Sequence, residues 1–208
     1  MSSELPFVSC LCPTYRRPQM MANTIPCFIT QDYPEDRREL IILDDAGELK
    51  NEASDGWQII SIPRRFRSLP EKFNALADLA QGDILVVWED DDLYLQHHIS
   101  THVRAMEGRL WSKPSSVLST YTGKHELEDA TGRFHASLAF RREVFDRIGG
   151  WLLTKRGDFD QQLIARLTAI PRSSFSTGIT RSLRGRSLFY RSPTVELRML
   201  QGIQPVVS

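Results

Sequence analysis

The sequence predicts an α/β protein: a single domain with a mostly parallel central sheet flanked by helices. Three observations predict it. Four short runs rich in Val, Ile and Leu recur through the first half of the chain, with the length and continuity of strands buried on both faces. Helical patterns separate them, and strand–helix alternation favours parallel strands joined by right-handed crossovers. The last run ends directly on four carboxylates, Glu89 to Asp92, and in such sheets ligands gather at the carboxyl ends of the strands.

Taken in order, the first run is Phe7 to Cys12, ended by Pro13. Gln19 to Gln31 carries a helical pattern, with Pro26 inside it expected to kink or split the helix. Leu40 to Leu43 is the second strand, followed at once by Asp44, Asp45 and Gly47, and Gln58 to Ile62 is the third, stopped by Pro63. Pro70 suits a first helical position; Phe73, Leu76, Ala77 and Ala80 then recur at helical spacing before Gly82. Ile84 to Trp88 is the most apolar strand. Beyond Asp92 the expected elements are a helix over Leu93 to Met106, strands over Ser116 to Tyr121 and Phe134 to Phe140, and a helix from Arg141 to Ile148 closed by Gly149 and Gly150. A last helix is expected over Asp158 to Ala169, and Leu188 to Tyr190 is a strand-like patch.

Composition excludes several classes of function. In 208 residues, Lys plus Arg (26) balances Asp plus Glu (26), so no overall charge draws the chain to nucleic acid. No stretch approaches the roughly 20 apolar residues of a spanning helix. The opening residues lack a basic region followed by an apolar core, so no signal peptide is expected. Cys10, Cys12 and Cys27 match no zinc spacing; Cys10 and Cys12 alternate onto one face of the first strand as small buried groups. A reducing, cytoplasmic location is the expectation. The tail beyond Pro171 is basic, with Arg172, Arg181, Arg184, Arg186, Arg191 and Arg198 against Glu196 alone. It reads as a solvated surface, a phosphate-binding wall or a peripheral contact with anionic membrane.

The chemistry concentrates at Glu89-Asp90-Asp91-Asp92. Adjacent carboxylates repel one another, and a hard divalent cation, Mn2+ or Mg2+, would relieve that repulsion through oxygen ligands. Such an ion can also bridge a diphosphate and offset charge on a leaving group. The plainer alternative is an exposed acidic turn. His98 and His102, four apart on an expected helix, have a metal-chelating spacing, but an exposed helix face is the favoured reading, with no Glu following His98 in a zinc-protease arrangement.

Several blocks resemble the inverting glycosyltransferases of family two, which have the A-type nucleotide-sugar-binding fold. Pro13-Thr14-Tyr15-Arg16-Arg17 is similar to that family's opening loop, and Leu43-Asp44-Asp45-Ala46-Gly47 to its second-strand motif. Lys72-Phe73-Asn74-Ala75 through Gly82-Asp83 resembles its helix leading to the metal strand, and Glu89 to Asp92 its Asp-x-Asp-Asp signature, with Glu89 in place of the first aspartate. Gly157-Asp158-Phe159-Asp160 resembles its Glu-Asp-x-Asp segment, with Gly157 in place of the glutamate. The resemblance implies that residues 7–92 bind a nucleoside diphosphate sugar, most naturally a UDP-sugar, and that 93–170 form the acceptor half, ahead of the basic tail at 171–208. Thr14 and Tyr15 would border the base, Asp44 or Asp45 would accept hydrogen bonds from base or ribose, and Lys72 would meet phosphate or base. Asp91 aligns as the main metal ligand with Asp92 beside it; Glu89 would act through water or the sugar, and Asp90 fills the variable middle position.

Asp158 aligns with the catalytic base that takes the proton of an acceptor hydroxyl. Trp151 would floor a sugar site, and Arg184, Arg186 or Arg191 would hold diphosphate in place of a late metal-binding histidine, which this chain lacks after His135. Competing local roles remain: a turn and cap at Asp44-Asp45, solvation of Lys72, and an N-cap at Asp158. Two other functions stay open, a sugar-phosphate nucleotidyltransferase and a non-catalytic nucleotide- or glycan-binding module. The first should have a Gly-rich loop after the first strand, and Pro13 to Pro18 contains no glycine.

Overall fold

The computed structural model describes residues 5–120, 125–154 and 157–170, and the backbone of a strand at 189–191. The elements in chain order are β1 (Val8–Thr14), α1 (Met21–Ile29), β2 (Arg38–Asp44), β3 (Glu52–Ser54), β4 (Trp57–Ser61), α2 (Leu69–Leu79), β5 (Ile84–Val87) and β6 (Asp92–Tyr94). There follow α3 (His98–Ala105), β7 (Trp111–Ser112), β8 (Ser116–Ser119), β9 (Glu126–Asp129), β10 (Ala139–Arg141), α4 (Arg142–Ile148), α5 (Phe159–Thr168) and β11 (Phe189–Arg191). Arg172, Arg181, Arg184, Arg186 and Arg198 of the basic tail lie outside the described residues.

Seven strands form one sheet in the order β3-β4-β2-β1-β5-β10-β7. The inner four, β4, β2, β1 and β5, are mutually parallel, and the flanking strands are antiparallel. The apolar runs form the middle because only continuous hydrophobic strands survive with both faces covered. Alternation divides them between two cores. Cys10, Cys12, Leu40, Ile42, Ile84 and Val86 face Met21 and Phe28 of α1 and Ile99 of α3. Leu11, Ile41, Leu43, Leu85 and Val87 face Phe73 and Leu76 of α2, Phe145 of α4 and Leu163 of α5. Burial pushes the thiols of Cys10 and Cys12 well up, consistent with inert packing groups.

The order of the strands locates the site. From β1 the chain steps outward to β2 and β4, then returns to β5 on the other side of β1. The crevice over the carboxyl ends of β1 and β5 is therefore the point where the winding reverses, the favoured binding place in such sheets. In register, Thr14 at the end of β1 stands beside Asp44 at the end of β2.

Three expected elements differ. The helix with Pro26 is not split there: a 3-10 turn, Pro18–Met20, leads into α1, and Pro26 sits within α1. Pro26 and Ala22 are on the exposed side, where water can meet the carbonyl that the proline leaves without a donor. The span Leu93 to Met106 is a strand followed by a helix. β6 pairs with β11, and Gln31 holds the joint by donating to the Leu95 carbonyl at 2.9 Å and accepting from Ile99 N–H at 3.0 Å. In Phe134 to Phe140 only the last residues are extended. Phe134 adopts a left-handed backbone (φ 57), and a 3-10 turn, His135–Ser137, is closed by Ser137 Oγ donating to the Phe134 carbonyl at 2.8 Å. β6, β8, β9 and β11 form a second sheet in the order β6-β11-β8-β9.

Candidate active site

The acidic segment leaves β5 and turns beneath the loop that follows β1. Thr14 Oγ1 donates to Asp90 Oδ2 at 2.6 Å, and Thr24 Oγ1 of α1 donates to the Asp90 carbonyl at 3.0 Å. Arg16 takes a left-handed conformation (φ 55), after which Arg17 Nη1 reaches back to Asp90 Oδ1 at 3.0 Å and Asp91 Oδ2 at 2.9 Å. Burial raises the pKa of Asp90, opposed by the Thr14 hydrogen bond and by Arg17. For Arg17, burial works against the charge, but the two carboxylates outweigh it and raise its pKa. Asp90 is thus a structural anchor, while Glu89, Asp91 and Asp92 each offer one carboxylate oxygen, all within 4.8 Å of one another. That set of hard oxygen donors fits Mn2+ or Mg2+.

The other expected nucleotide-side residues converge on the same crevice but are already engaged. Lys72 is buried; its Nζ donates to the Thr14 carbonyl and to Asp45 Oδ1, each at 2.5 Å, while Asp45 Oδ2 accepts from Phe66 N–H at 2.9 Å. Lys72 therefore ties the ends of β1 and β2 together instead of lying solvated. Tyr15 lies under Arg65, whose guanidinium carbon is 4.0 Å from the ring centroid, and its neighbour Pro13 is half-buried.

Asp44 closes a turn: its oxygens accept from the N–H groups of Ala46, Glu48 and Leu49 and from Ser61 Oγ, at 2.8–3.0 Å. Burial favours the neutral acid, yet these four donors prevail and hold the Asp44 pKa below the ordinary value. With the folded pKa depressed, the stabilisation is present above the unfolded-state value and lost as pH falls through the folded one. Asp44→Ala is expected to cost on the order of 3 kcal/mol near neutral pH by stranding buried donors. Its deficit relative to wild type should shrink on acidification. Urea unfolding at two pH values checks both expectations.

The residues expected on the acceptor side lie around α5 and the turn at His135. Asp158 is the N-cap residue of α5, but its carboxylate makes no capping bond; Oδ1 accepts only from Gln162 Nε2, at 3.0 Å, among the bonds observed. The next residue, Phe159, packs its ring 5.6 Å from that of His135, and His135 Nδ1 lies 3.6 Å from Glu89 Oε1. A cleft of about 500 Å3 adjoins, walled by Arg67, Leu69, Pro70, Thr154, Gly157 and Phe159. Another cavity, walled in part by Arg38, Glu39 and Trp57, opens at the amino ends of β2 and β4, away from the carboxylates.

Asn74, expected among the nucleotide-side residues, is likewise engaged by the chain itself. It clamps the Trp151 backbone, accepting from its N–H and donating to its carbonyl, both at 2.9 Å. Trp151 does not floor an open sugar site: it is 1% exposed and stacked on Phe73 at 4.8 Å. His98 and His102 are also buried, and burial, then their mutual proximity, lowers the His98 pKa. His102 Nδ1 is 2.6 Å from Ser112 Oγ, so that pair belongs to the packing behind the site and not to an exposed helix face. Gly150 has φ +67, and a Cβ there would stand 2.6 Å from Asn74 Oδ1 and 2.9 Å from the Phe145 ring. Gly150→Ala is therefore expected to lower stability by about 1–3 kcal/mol. Thermal unfolding checks it, and loss of the native Trp fluorescence would report displacement of Trp151. Sequence reasoning missed the parts played by Arg17, His135 and the Asn74 clamp; Arg17 and Asn74 lay in quoted motifs, but nothing local signalled His135.

Comparison with known proteins matches this fold. A mannosyltransferase of Pyrobaculum calidifontis, solved with GDP-Man and Mn2+, superposes with a TM-score of 0.62 over 95% of this chain at 19% identity. Staphylococcus aureus TarS in complex with UDP-GlcNAc superposes with a TM-score of 0.59 over 77% of this chain at 11% identity. The chain spans only 59% and 53% of those two structures. The probable glycosyltransferase YdaM of Bacillus subtilis is 26% identical over 99 residues, 43% of this chain and 24% of that protein. No helix among the described residues is long and apolar enough to cross a membrane. The model of the family "Glycosyl transferase family 2" matches residues 9–160, and the chain belongs to that family.

Proposed function

We propose that this protein transfers a sugar from a nucleoside diphosphate sugar, in first place a UDP-sugar, to a hydroxyl acceptor with inversion. The carrying observation is the set of Glu89, Asp91 and Asp92 oxygens gathered at the end of β5, where the winding of the sheet reverses. The ligands named for the similar structures, GDP-Man with Mn2+ and UDP-GlcNAc, support the donor class. Asp91 and Asp92, with Glu89, would hold Mn2+ or Mg2+, which when bound supplies positive charge for a diphosphate.

The chain's own residues account for the remainder. The loop of Pro13, Thr14, Tyr15 and Arg16 borders the base and ribose, and its path is fixed by Thr14 on Asp90 and by Lys72 on the Thr14 carbonyl. Asp45 shapes that wall through Lys72, and Asn74 shapes the opposite one through Trp151. Arg17, now on Asp91, would turn to a diphosphate oxygen, which its fork suits. Asp158 accepts the acceptor's hydroxyl proton as that oxygen bonds to the anomeric carbon. The bond from this carbon to the diphosphate breaks, and the nucleoside diphosphate leaves with the electron pair. Release of nucleoside diphosphate from a panel of UDP- and GDP-sugars, with and without Mn2+, tests the reading. Metal-dependent nucleotide binding with no release from any donor, even with acceptor mixtures present, would favour a binding module instead.

A further inference from the structure

On the acceptor side, a hydrogen bond from Trp151 holds an imidazole whose other nitrogen faces the acidic cluster. Trp151 Nε1 is 2.8 Å from His135 Nε2. An indole nitrogen only donates, so His135 Nε2 must accept and the ring proton of the neutral imidazole resides on Nδ1. Nδ1 is buried, makes no hydrogen bond in this structure, and lies 3.6 Å from Glu89 Oε1. That separation is just beyond a hydrogen bond, as is common before a ligand closes a site.

The surroundings fix both ends of this gap. His135 is 3% exposed and boxed edge-on by Phe73, Phe159 and Trp151, with ring centroids 5.0, 5.6 and 5.6 Å away. Its turn begins at Phe134 in the left-handed region (φ 57), a conformation that a bulky residue adopts only when its surroundings impose it. The Tyr94 hydroxyl joins the two segments, accepting from Glu89 N–H at 2.7 Å and donating to the Ala136 carbonyl at 3.3 Å. The Trp151 backbone is in turn held by Asn74.

From this arrangement we infer that His135 is a positioning residue, locked by Trp151 in the Nδ1–H tautomer so that it orients the Glu89 carboxylate for transfer. The inference gives a reason for glutamate at this position: its extra methylene extends the carboxylate toward His135. It rests on the transferase reading above, in which Glu89 is one of the acids at the donor's metal site.

The test has two arms. In the first, 15N-labelled imidazole is observed by NMR without substrate. The His135 proton is expected on Nδ1, and Glu89→Gln should move that resonance. In the second, His135→Phe keeps the ring packing but has no nitrogen, and should lose roughly 10–100-fold in kcat with donor KM within about twofold. His135→Asn, whose amide nitrogen replaces Nδ1, should recover most of the rate. His135→Phe combined with Glu89→Gln should be no slower than the slower single variant. Should His135→Phe fail to fold, Trp151→Phe removes only the indole donor and should yield mixed tautomers and an intermediate rate. A proton on Nε2, a resonance indifferent to Glu89→Gln, a fixed tautomer in Trp151→Phe, or wild-type kcat in folded His135→Phe overturns the inference. A wild type that transfers from no donor overturns the transferase reading and, with it, His135's part in catalysis. The substrate-free arm tells that failure from loss of the His135–Glu89 pairing.

Discussion

Asp158→Asn is expected to bind nucleotide and metal as the wild type does and to lose transfer by on the order of 10²–10⁴-fold, the usual contribution of a positioned base. Size and backbone are retained, and the side chain makes no capping bond in the parent, so the helix should not notice the change. The amide still reaches Gln162, which now contacts Asp158 Oδ1 at 3.0 Å. Only the ability to take a proton disappears. Asp160→Asn, one turn-step into the helix, should be milder. Single-turnover release of nucleoside diphosphate with acceptor, set beside calorimetric donor binding, separates chemistry from affinity. A near wild-type rate in Asp158→Asn would remove the residue as the base.

Asp91→Ala is expected to weaken metal-dependent nucleotide binding by at least about 100-fold while leaving the fold intact. Asp91 is half-buried, and its partner Arg17 keeps Asp90 when Asp91 is cut back. Asp90→Ala should show the opposite pattern. Asp90 holds Thr14 at 2.6 Å and, through its carbonyl, Thr24 at 3.0 Å; its side-chain loss should reduce stability more than intrinsic metal affinity. Titration of Mn2+ with nucleoside diphosphate, together with urea melts, compares the two. Equal metal-dependent affinity for wild type and Asp91→Ala would end the assignment of Asp91 as ligand.

How much of this was legible in the sequence follows from what burial demands. β1, β2 and β5 were readable because a strand covered on both faces must be a nearly unbroken apolar run, and β4, only half-buried, still carries Trp57, Ile59 and Ile60. The edges were not: β3 is exposed and polar, and β9 is nearly so, leaving no hydrophobic signal. β6 was hidden for another reason, since its partner β11 comes from the far end of the chain and no local pattern announces the pairing. At the site, residue type identified a cluster of acids but not what each oxygen faces. Asp44 and Asp45 look alike in sequence; one is consumed by a turn, and the other is paired with Lys72. His135 was obscured because Phe134, Leu138 and Phe140 suggest a strand, whereas the Ser137 hydroxyl and the left-handed Phe134 curl the chain.

The side chains of Lys72 and Asn74 leave α2 in different directions, as residues two apart on a helix must. Lys72 grips the ends of β1 and β2 beside the donor loop, and Asn74 grips the chain at Trp151, close to α5. A single helical turn therefore works as a fixed caliper between the two jaws of the crevice. Neither jaw can slide without breaking a buried polar grip, so the gap between them is a property of helix pitch and not of loop flexibility. On the proposed function, donor and acceptor would be read against the same ruler, and a disturbance of this turn of α2 should shift the KM of both substrates together.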